Sequence, residues 1–336
     1  MKNIKSLIRK RSRKHLAGKI LLGLLAVLLL LGLLPFLIPL SSATGQELEE
    51  PFANSQFAAI DGVELHYRVW NQSTAGCQGK VLLVHGMGGS TYCWEQNVAA
   101  LTDAGYWVMA VDLPGFGYSS RMTGLDHSQK SRGQLLWRLL QSVGGQVPPD
   151  VREESWNLVG HSMGGGTIAA MALEKPDQAQ RLIFVDGALF ESSPTFLKNL
   201  ALFPPVARWT AVILEYAIIK PARIQKVLSY AYGQEATAEQ AAAYLAPLRL
   251  SGSARSFLDI VRTTKNEPAT GLNNFPGLVF AVWGTDDQVI PVSQADQLKQ
   301  LLPGMAFQSI PGAGHIPMET HAAAFNEILL DFLASD

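Results

Sequence analysis

The chain has 336 residues, of which 48% are hydrophobic, enough for one large domain or two small ones, and its formal net charge of -1 hides an uneven distribution. Residues 1–19 carry eight Lys and Arg and no acid, which leaves 19 basic against 28 acidic residues in the remainder, a net acidic body. A basic run of this kind is also found in nucleic-acid-binding proteins, but here it leads straight into an apolar segment, which accounts for it more simply, and no nucleic-acid partner is expected.

Residues 20–40, ILLGLLAVLLLLGLLPFLIPL, contain no charge. At ~1.5 Å per residue such a helix matches a bilayer core of roughly 30 Å, so a transmembrane anchor is expected over 20–40. The basic flank 1–19 then stays cytoplasmic, and the rest of the chain lies on the far side, whether periplasmic, lumenal or extracellular. A cleaved signal peptide followed by secretion is the alternative, because Ser41, Ser42 and Ala43 offer small residues after the apolar run. The basic and apolar stretches are both long for a signal peptide, and Pro35 and Pro39 lie close to the candidate cut. Cys77 and Cys93 are the two cysteines; an oxidising compartment makes a disulfide conceivable, but at this separation two cysteines more often act apart. With no C-x-x-C and no His/Cys cluster, no zinc site is expected.

Residues 41–54 read as a polar, acidic linker. Residues 57–70 read as two strands joined at Asp61-Gly62, a hairpin signal. Apolar strand-like runs follow at 81–85, 107–112, 156–160, 182–186 and 278–283, alternating with helix-like stretches, with a last strand near 306–310 and a helix over 319–333. This alternation predicts an α/β protein with a mostly parallel sheet covered on both faces. Between 187 and about 274 the rhythm breaks: no convincing strand appears, only helix-like pieces at 196–202, 207–219, 222–232 and 237–246, the last stopped by Pro247. The expected organisation is therefore a core over 55–187 and 275–336 with a helical cap over 188–274 placed on the sheet edge.

The segment NLVGHSMGGGTIAA, residues 157–170, puts Ser162 between glycines where a buried strand gives way to an alanine-rich helix. A bare G-x-S-x-G is weak evidence, but a strand-to-helix turn is the setting of a nucleophile elbow. A serine hydroxyl needs a base, itself oriented by an acid, and in a parallel sheet both are sought on loops after strands at the same edge. His315 in PGAGHIPME follows the last strand and is the candidate base. His66, His127 and His321 are less suitably placed, and His161, next to the serine, is expected to diverge from it. Asp286 and Asp287 in VWGTDDQVIP, and Asp186 after its own strand, remain open as the acid. The glycines of LLVHGMGGSTYCW allow the Met87 N–H to join the Met163 N–H in stabilising an oxyanion. The loop lacks a phosphate-binding signature.

Together HGMGGS, DLPGFGYS, GHSMGG, WGTDDQVIP and GAGH resemble, in order and surroundings, the cap-bearing members of the α/β-hydrolase superfamily, over nearly everything from Phe57 onward. The resemblance implies the α/β-hydrolase fold with an eight-stranded sheet. It makes Ser162 the nucleophile and His315 the base, selects Asp287 over Asp286 because Gly284 precedes it by three residues and Pro291 follows by four, and leaves the oxyanion to the Met87 and Met163 backbones. Gly115 and Gly117 are expected to be structural. A serine at the elbow argues against chemistry that starts from a carboxylate nucleophile.

The expected activity is ester hydrolysis by a Ser-His-Asp acyl-enzyme route, as in carboxylesterases and lipases, with no cofactor or metal. The aromatic and aliphatic content of the cap, including Phe196, Phe203, Trp209, Tyr216, Tyr230 and Tyr232, suits a small-molecule, lipophilic ester. Two alternatives are carbon–carbon bond hydrolysis of a vinylogous diketone with the same residue types, and a non-catalytic binding protein on the same fold. Protein partners are not legible.

Overall fold

The computed structural model describes residues 2–41, 51–70, 76–190, 199–266 and 269–335, with side chains from residue 15 onward. An eight-stranded sheet in the order β1-β2-β4-β3-β5-β6-β7-β8 organises it. The strands are β1 (Ser55–Ile60), β2 (Val63–Trp70), β3 (Gly79–Val84), β4 (Tyr106–Val111), β5 (Trp156–His161), β6 (Ala179–Val185), β7 (Leu278–Gly284) and β8 (Ala306–Ile310). β2 runs antiparallel to β1 and β4, and every other pairing is parallel. The expected hairpin closes at Asp61 (φ 50) and Gly62 (φ 80), two consecutive positive-φ residues whose twist matches that of the flanking strands.

Strands buried on both faces cannot alternate apolar with polar, and β3, β4 and β5 are buried throughout. Successive side chains feed two cores: Leu82, Val84, Met109 and Leu158 pack on one side of the sheet, Val81, Leu83, Val108 and Val159 on the other. Helices α2 (Val98–Asp103), α3 (Gln129–Ser142), α4 (Pro149–Arg152) and α5 (Met163–Glu174) connect the first six strands. The chain places β4 on one side of β3 and β5 on the other, so the loops after β3 and β5 diverge at the carboxyl ends of neighbouring strands, the crevice where open α/β sheets bind ligands.

Between β6 and β7 the described residues form helices and no strand: α6 (Pro204–Ile213) with a π-helical turn Leu214–Ile218, α7 (Pro221–Tyr232), α8 (Ala238–Leu248) and α9 (Ser253–Thr263). α7 ends on Gly233 at φ 68, and α8 starts with a reciprocal capping box between Thr237 and Gln240. Pro247 does not stop α8, which runs on to Leu248 with the proline in its last turn. α9 was not among the expected helices, and residues 196–198 of the expected 196–202 helix lie outside those described. α10 (Ser293–Leu301) lies between β7 and β8, and the expected 319–333 helix is two pieces, α11 (Pro317–Thr320) and α12 (Ala322–Leu333), broken at His321.

At the other end, α1 (Lys2–Leu37) continues the basic segment and the apolar run as one helix. Over His15–Leu37 it is long and apolar enough to cross a membrane, with only 6% of that span buried. It ends before residue 40, where Pro39 cannot supply an amide hydrogen to another turn. Its last turns pack on α6, with Leu40, Ala211, Val212 and Ala254 forming a small core of their own. Cys77 and Cys93 are unbridged.

Candidate active site

β5 stops at His161 and α5 starts at Met163, so the change of direction falls on Ser162, at φ 49 and ψ -119. Such a conformation in a residue with a Cβ costs about 1–3 kcal/mol and persists only where surroundings enforce it. Here the Ser162 N–H donates to Val185 O at 2.9 Å, and its carbonyl accepts from Gly165 N and Ala188 N, each at 2.9 Å. The crossing is too close for side chains: a Cβ on Gly164 would stand 2.3 Å from Val84 O. Ser162 is 8% exposed and lines a cavity. Met163, first in α5, has an amide without an intrahelical acceptor.

The loop after β3 passes directly over this turn. A Cβ on Gly86 would meet Ser162 Cβ and His161 Nδ1 at 2.8 Å each. His85 fixes the loop: its Nε2 accepts from Leu113 N at 3.0 Å, so its Nδ1 carries the hydrogen and donates to Gly86 O at 2.6 Å. Burial holds His85 below the usual imidazole range, which keeps it neutral and preserves this tautomer. Met87 follows and lines the same cavity as Met163 and Ser162.

The loops after β7 and β8 supply the remaining groups. Asp287 Oδ1 accepts from Val289 N at 2.7 Å and Ile290 N at 2.9 Å, while its Oδ2 lies 2.8 Å from His315 Nδ1. Trp283 Nε1 donates to Ile290 O at 2.8 Å and so closes the acid loop on its own strand. His315 Nδ1 thereby donates to the carboxylate, leaving Nε2 as the ring's acceptor, and His315 lines the cavity with Ser162. The backbone of His315 is held twice: its N–H donates to Ala231 O of α7 at 2.7 Å, and its carbonyl accepts from His161 Nε2 at 2.7 Å. Next to it, a Cβ on Gly314 would stand 2.5 Å from Tyr232 C, so loop and helix touch backbone to backbone.

Asp186 is the nearest further acid. Its ligand oxygen, that of Asp287 and a ring nitrogen of His315 lie within 4.8 Å of one another. Burial, then the Asp287 charge, push Asp186 well above the carboxylate range, and its Oδ1 accepts from Gly284 N at 3.0 Å. A cation bound by this trio would compete with the His315–Asp287 hydrogen bond and the amides already on Asp287. Asp286 is exposed and accepts from Thr285 Oγ1 at 2.9 Å, as a turn residue does.

Of the remaining histidines, His66 and His127 lie away from the cavity, whereas His161 lines it. His66 makes a second, wholly buried His–Asp pair, Nδ1 to Asp112 Oδ2 at 2.7 Å, away from the cavity. Burial opposes charge on Asp112, yet the His66 hydrogen bond and the Tyr118 amide hold it below its ordinary value. His127 is buried rather than in an open polar loop, and burial lowers it to about 4. His161 does not diverge from the serine's surroundings as expected, since its ring lies 4.8 Å from that of His315, centroid to centroid, the two tilted by 52°.

The cavity measures about 900 Å³ and its walls are mainly apolar, with Ile224, Leu228, Leu248 and Val261 contributed by the inserted helices. Two polar features of its wall escaped the sequence reading. Arg132 lines the cavity at 2% exposure, and none of its guanidinium nitrogens has a partner among the described residues. Burial lowers it to about 10, still a cation at neutral pH. Elsewhere on the wall, Cys93 Sγ lies 3.2 Å from Tyr244 Oη, and Tyr244 and Tyr232 both donate to the half-buried Glu319, the latter at 2.6 Å. Burial lifts Glu319 to about 7. A signal for Arg132 existed, because it falls on the stripe that continues through Leu135, Leu136 and Leu139 of α3, where a charge is out of place.

Comparison with known proteins agrees with this architecture. A family model described as alpha/beta hydrolase fold matches residues 80–322. A 2-hydroxy-6-oxononadienedioate/2-hydroxy-6-oxononatrienedioate hydrolase of Paraburkholderia phymatum is 29% identical over 287 residues, covering 81% of this chain and 92% of that protein. Among solved structures, a serine hydrolase involved in carbazole degradation superposes with a TM-score of 0.65 at 19% identity, over 83% of this chain and 98% of its own. An esterase from Exiguobacterium antarcticum reaches 0.67 at 16% identity, over 83% and 99%.

Proposed function

The chain belongs to the alpha/beta hydrolase fold family, and from that premise we propose that it is a serine hydrolase cleaving lipophilic carboxylic esters, with Ser162 as nucleophile, His315 as base and Asp287 as its orienting acid. The observation that carries this reading is the 2.8 Å contact of His315 Nδ1 with an Asp287 whose other oxygen is held by two amides, on a cavity shared with Ser162.

His315 Nε2 takes the Ser162 proton as the oxygen attacks a carbonyl, and the developing oxyanion is received by the Met87 and Met163 amides. The acyl-enzyme forms as His315 returns the proton to the leaving alcohol, and His315 then activates water to release the acid. Residues 188–274 act as the cap that supplies the apolar wall, over a core of 55–187 and 275–336. Residues 20–40 anchor the chain in a membrane, with 1–19 cytoplasmic and the site on the far side. Labelling by a fluorophosphonate probe together with an ester panel graded by acyl length tests this. Ser162→Ala should lose both labelling and turnover while staying folded, and undiminished turnover ends the reading.

A second reading, carbon–carbon bond hydrolysis of an oxo-dienoate, is favoured by Arg132. A buried guanidinium without a partner suits a substrate carboxylate, and the Paraburkholderia phymatum relative is named for dienedioate substrates, which carry two. Parallel assays with a neutral ester and a dienedioate decide between them.

A further inference from the structure

The apolar run of α1 has a neighbour at its far end. Trp209 Nε1 donates to Leu31 O at 2.9 Å, Arg208 Nε to Pro35 O at 3.0 Å, and Tyr216 Oη to Pro39 O at 2.8 Å. Gly32 lies against Pro205, 3.9 Å from where its Cβ would be. At ~1.5 Å per residue, Leu31 is about 9 Å short of the Leu37 end of the apolar span. Whatever is bonded to Leu31 therefore lies at the depth of acyl chains and headgroups, not above them.

The side of this segment turned away from the core is apolar. Leu200, Phe203, Val206, Ile213 and Tyr216 are 37% to 55% exposed, although they belong to one short stretch of chain. Its lone acid over 199–232, Glu215, accepts from Ser41 N at 2.9 Å, while Lys220, Arg223 and Lys226 are exposed beyond it. Apolar side chains at depth, Trp and Tyr at the boundary, and cations above them form the profile of a helix lying in a membrane interface.

The rim of the cavity continues this surface. Ala201, between Leu200 and Phe203, lines the cavity and is exposed, as are Val227 and Tyr230 of α7. Met87 and Val289, each about half exposed, complete the rim.

We propose that α6 and the segment entering it are seated in the bilayer that α1 spans, and that the cavity opens onto this seat, so that substrate reaches Ser162 from the lipid phase. The inference rests on the reading of α1 as a membrane span. The second contact fixes the orientation of the catalytic body relative to the membrane, which a single anchor cannot do. Substrates are then amphiphiles with an ester near the headgroup level.

The full chain, reconstituted in vesicles of phosphatidylcholine and phosphatidylglycerol, provides the test. On a Cys77→Ser background, an environment-sensitive fluorophore is placed at Phe203→Cys, Ile213→Cys or Glu153→Cys, the last at the opposite sheet edge. Blue-shifted emission at 203 and 213, quenched by nitroxide-labelled lipid and absent at 153, is the expected result. Water-like emission at 203 and 213 in chains that resist alkaline carbonate extraction overturns the seat while leaving the anchor intact. Release of the chain by carbonate removes the anchor reading and this inference with it. Phe203→Asp with Ile213→Asp should lower turnover of a long-chain ester dissolved in the vesicles by about tenfold, since charge is costly at that depth, with a short water-soluble ester unaffected. Equal effects on the two substrates overturn entry from lipid.

Discussion

Asp186 and Asp287 stand beside the imidazole of His315, and it is Asp287 that makes the hydrogen bond to the ring, at 2.8 Å. Asp186 is buried, lies next to a carboxylate, and is held well above the usual range, whereas Asp287 is surrounded by donors. Replacing Asp287 by Asn should therefore remove the acceptor that sets the His315 tautomer and lower kcat by roughly 10³–10⁴. Asp186→Asn should stay within about tenfold of wild type, because Asn keeps an oxygen to accept from the Gly284 amide and leaves the His315–Asp287 hydrogen bond in place. The opposite ranking in ester turnover would transfer the acid role to Asp186.

A second raised carboxyl, that of Glu319, has a consequence for stability. A carboxyl whose folded value is raised keeps a proton that the unfolded chain releases, so its contribution is complete at low pH and is lost as pH rises. For Glu319 the window runs from its ordinary 4.5 up through about 7. Thermal melts of wild type should fall by a few degrees between pH 5 and pH 8, and Glu319→Gln should flatten part of that fall. A slope unchanged in the variant shows that ionisation of Glu319 does not strain the cavity wall.

Arg132→Met keeps length and removes charge. If the guanidinium receives a carboxylate, kcat/KM for an acidic substrate should fall by about 10²-fold relative to a neutral ester of equal size. The neutral ester should be hydrolysed as well as before, and the variant should melt no lower, because no protein group loses its partner. Equal losses on both substrates would make Arg132 a structural residue.

Gly164→Ala tests how closely the elbow is packed. Its Cβ would fall 2.3 Å from Val84 O, so β3 and α5 must separate, at a cost of about 3 kcal/mol or more. Gly145→Ala, with open space at its Cβ, is the control and should leave the denaturation midpoint unchanged to within about 0.5 kcal/mol.

The sheet could be read from the chain because parallel strands buried on both faces leave continuous apolar runs, and β3, β4, β5, β6 and β7 each announced themselves in that way. The positions of Ser162 and His315 were legible because glycines flank the first and precede the second at strand ends. Choice among Asp186, Asp286 and Asp287 came only from the family resemblance, since all three follow strands and differ in what their oxygens meet in space. α9 escaped because it begins after a left-handed Gly252 with no side-chain cap, and Pro247 misled because a proline in a last turn breaks only a bond already near the helix end. The roles of His85 and Glu319 depend on partners 28 and 75 or more residues away, a distance no local pattern spans.

The bond from His315 N to Ala231 O joins the base loop to α7 as directly as two strands of a sheet are joined. Helices of this kind are commonly pictured as a hinged flap that lifts to admit substrate. Here lifting α7 would pull the His315 backbone with it, so, under the roles proposed for His315 and Ser162, an open form and a reactive form exclude each other. Admission must instead come from side chains that yield in place, Val227 and Tyr230 foremost, and turnover should then track the viscosity of their surroundings more closely than any rigid-body swing.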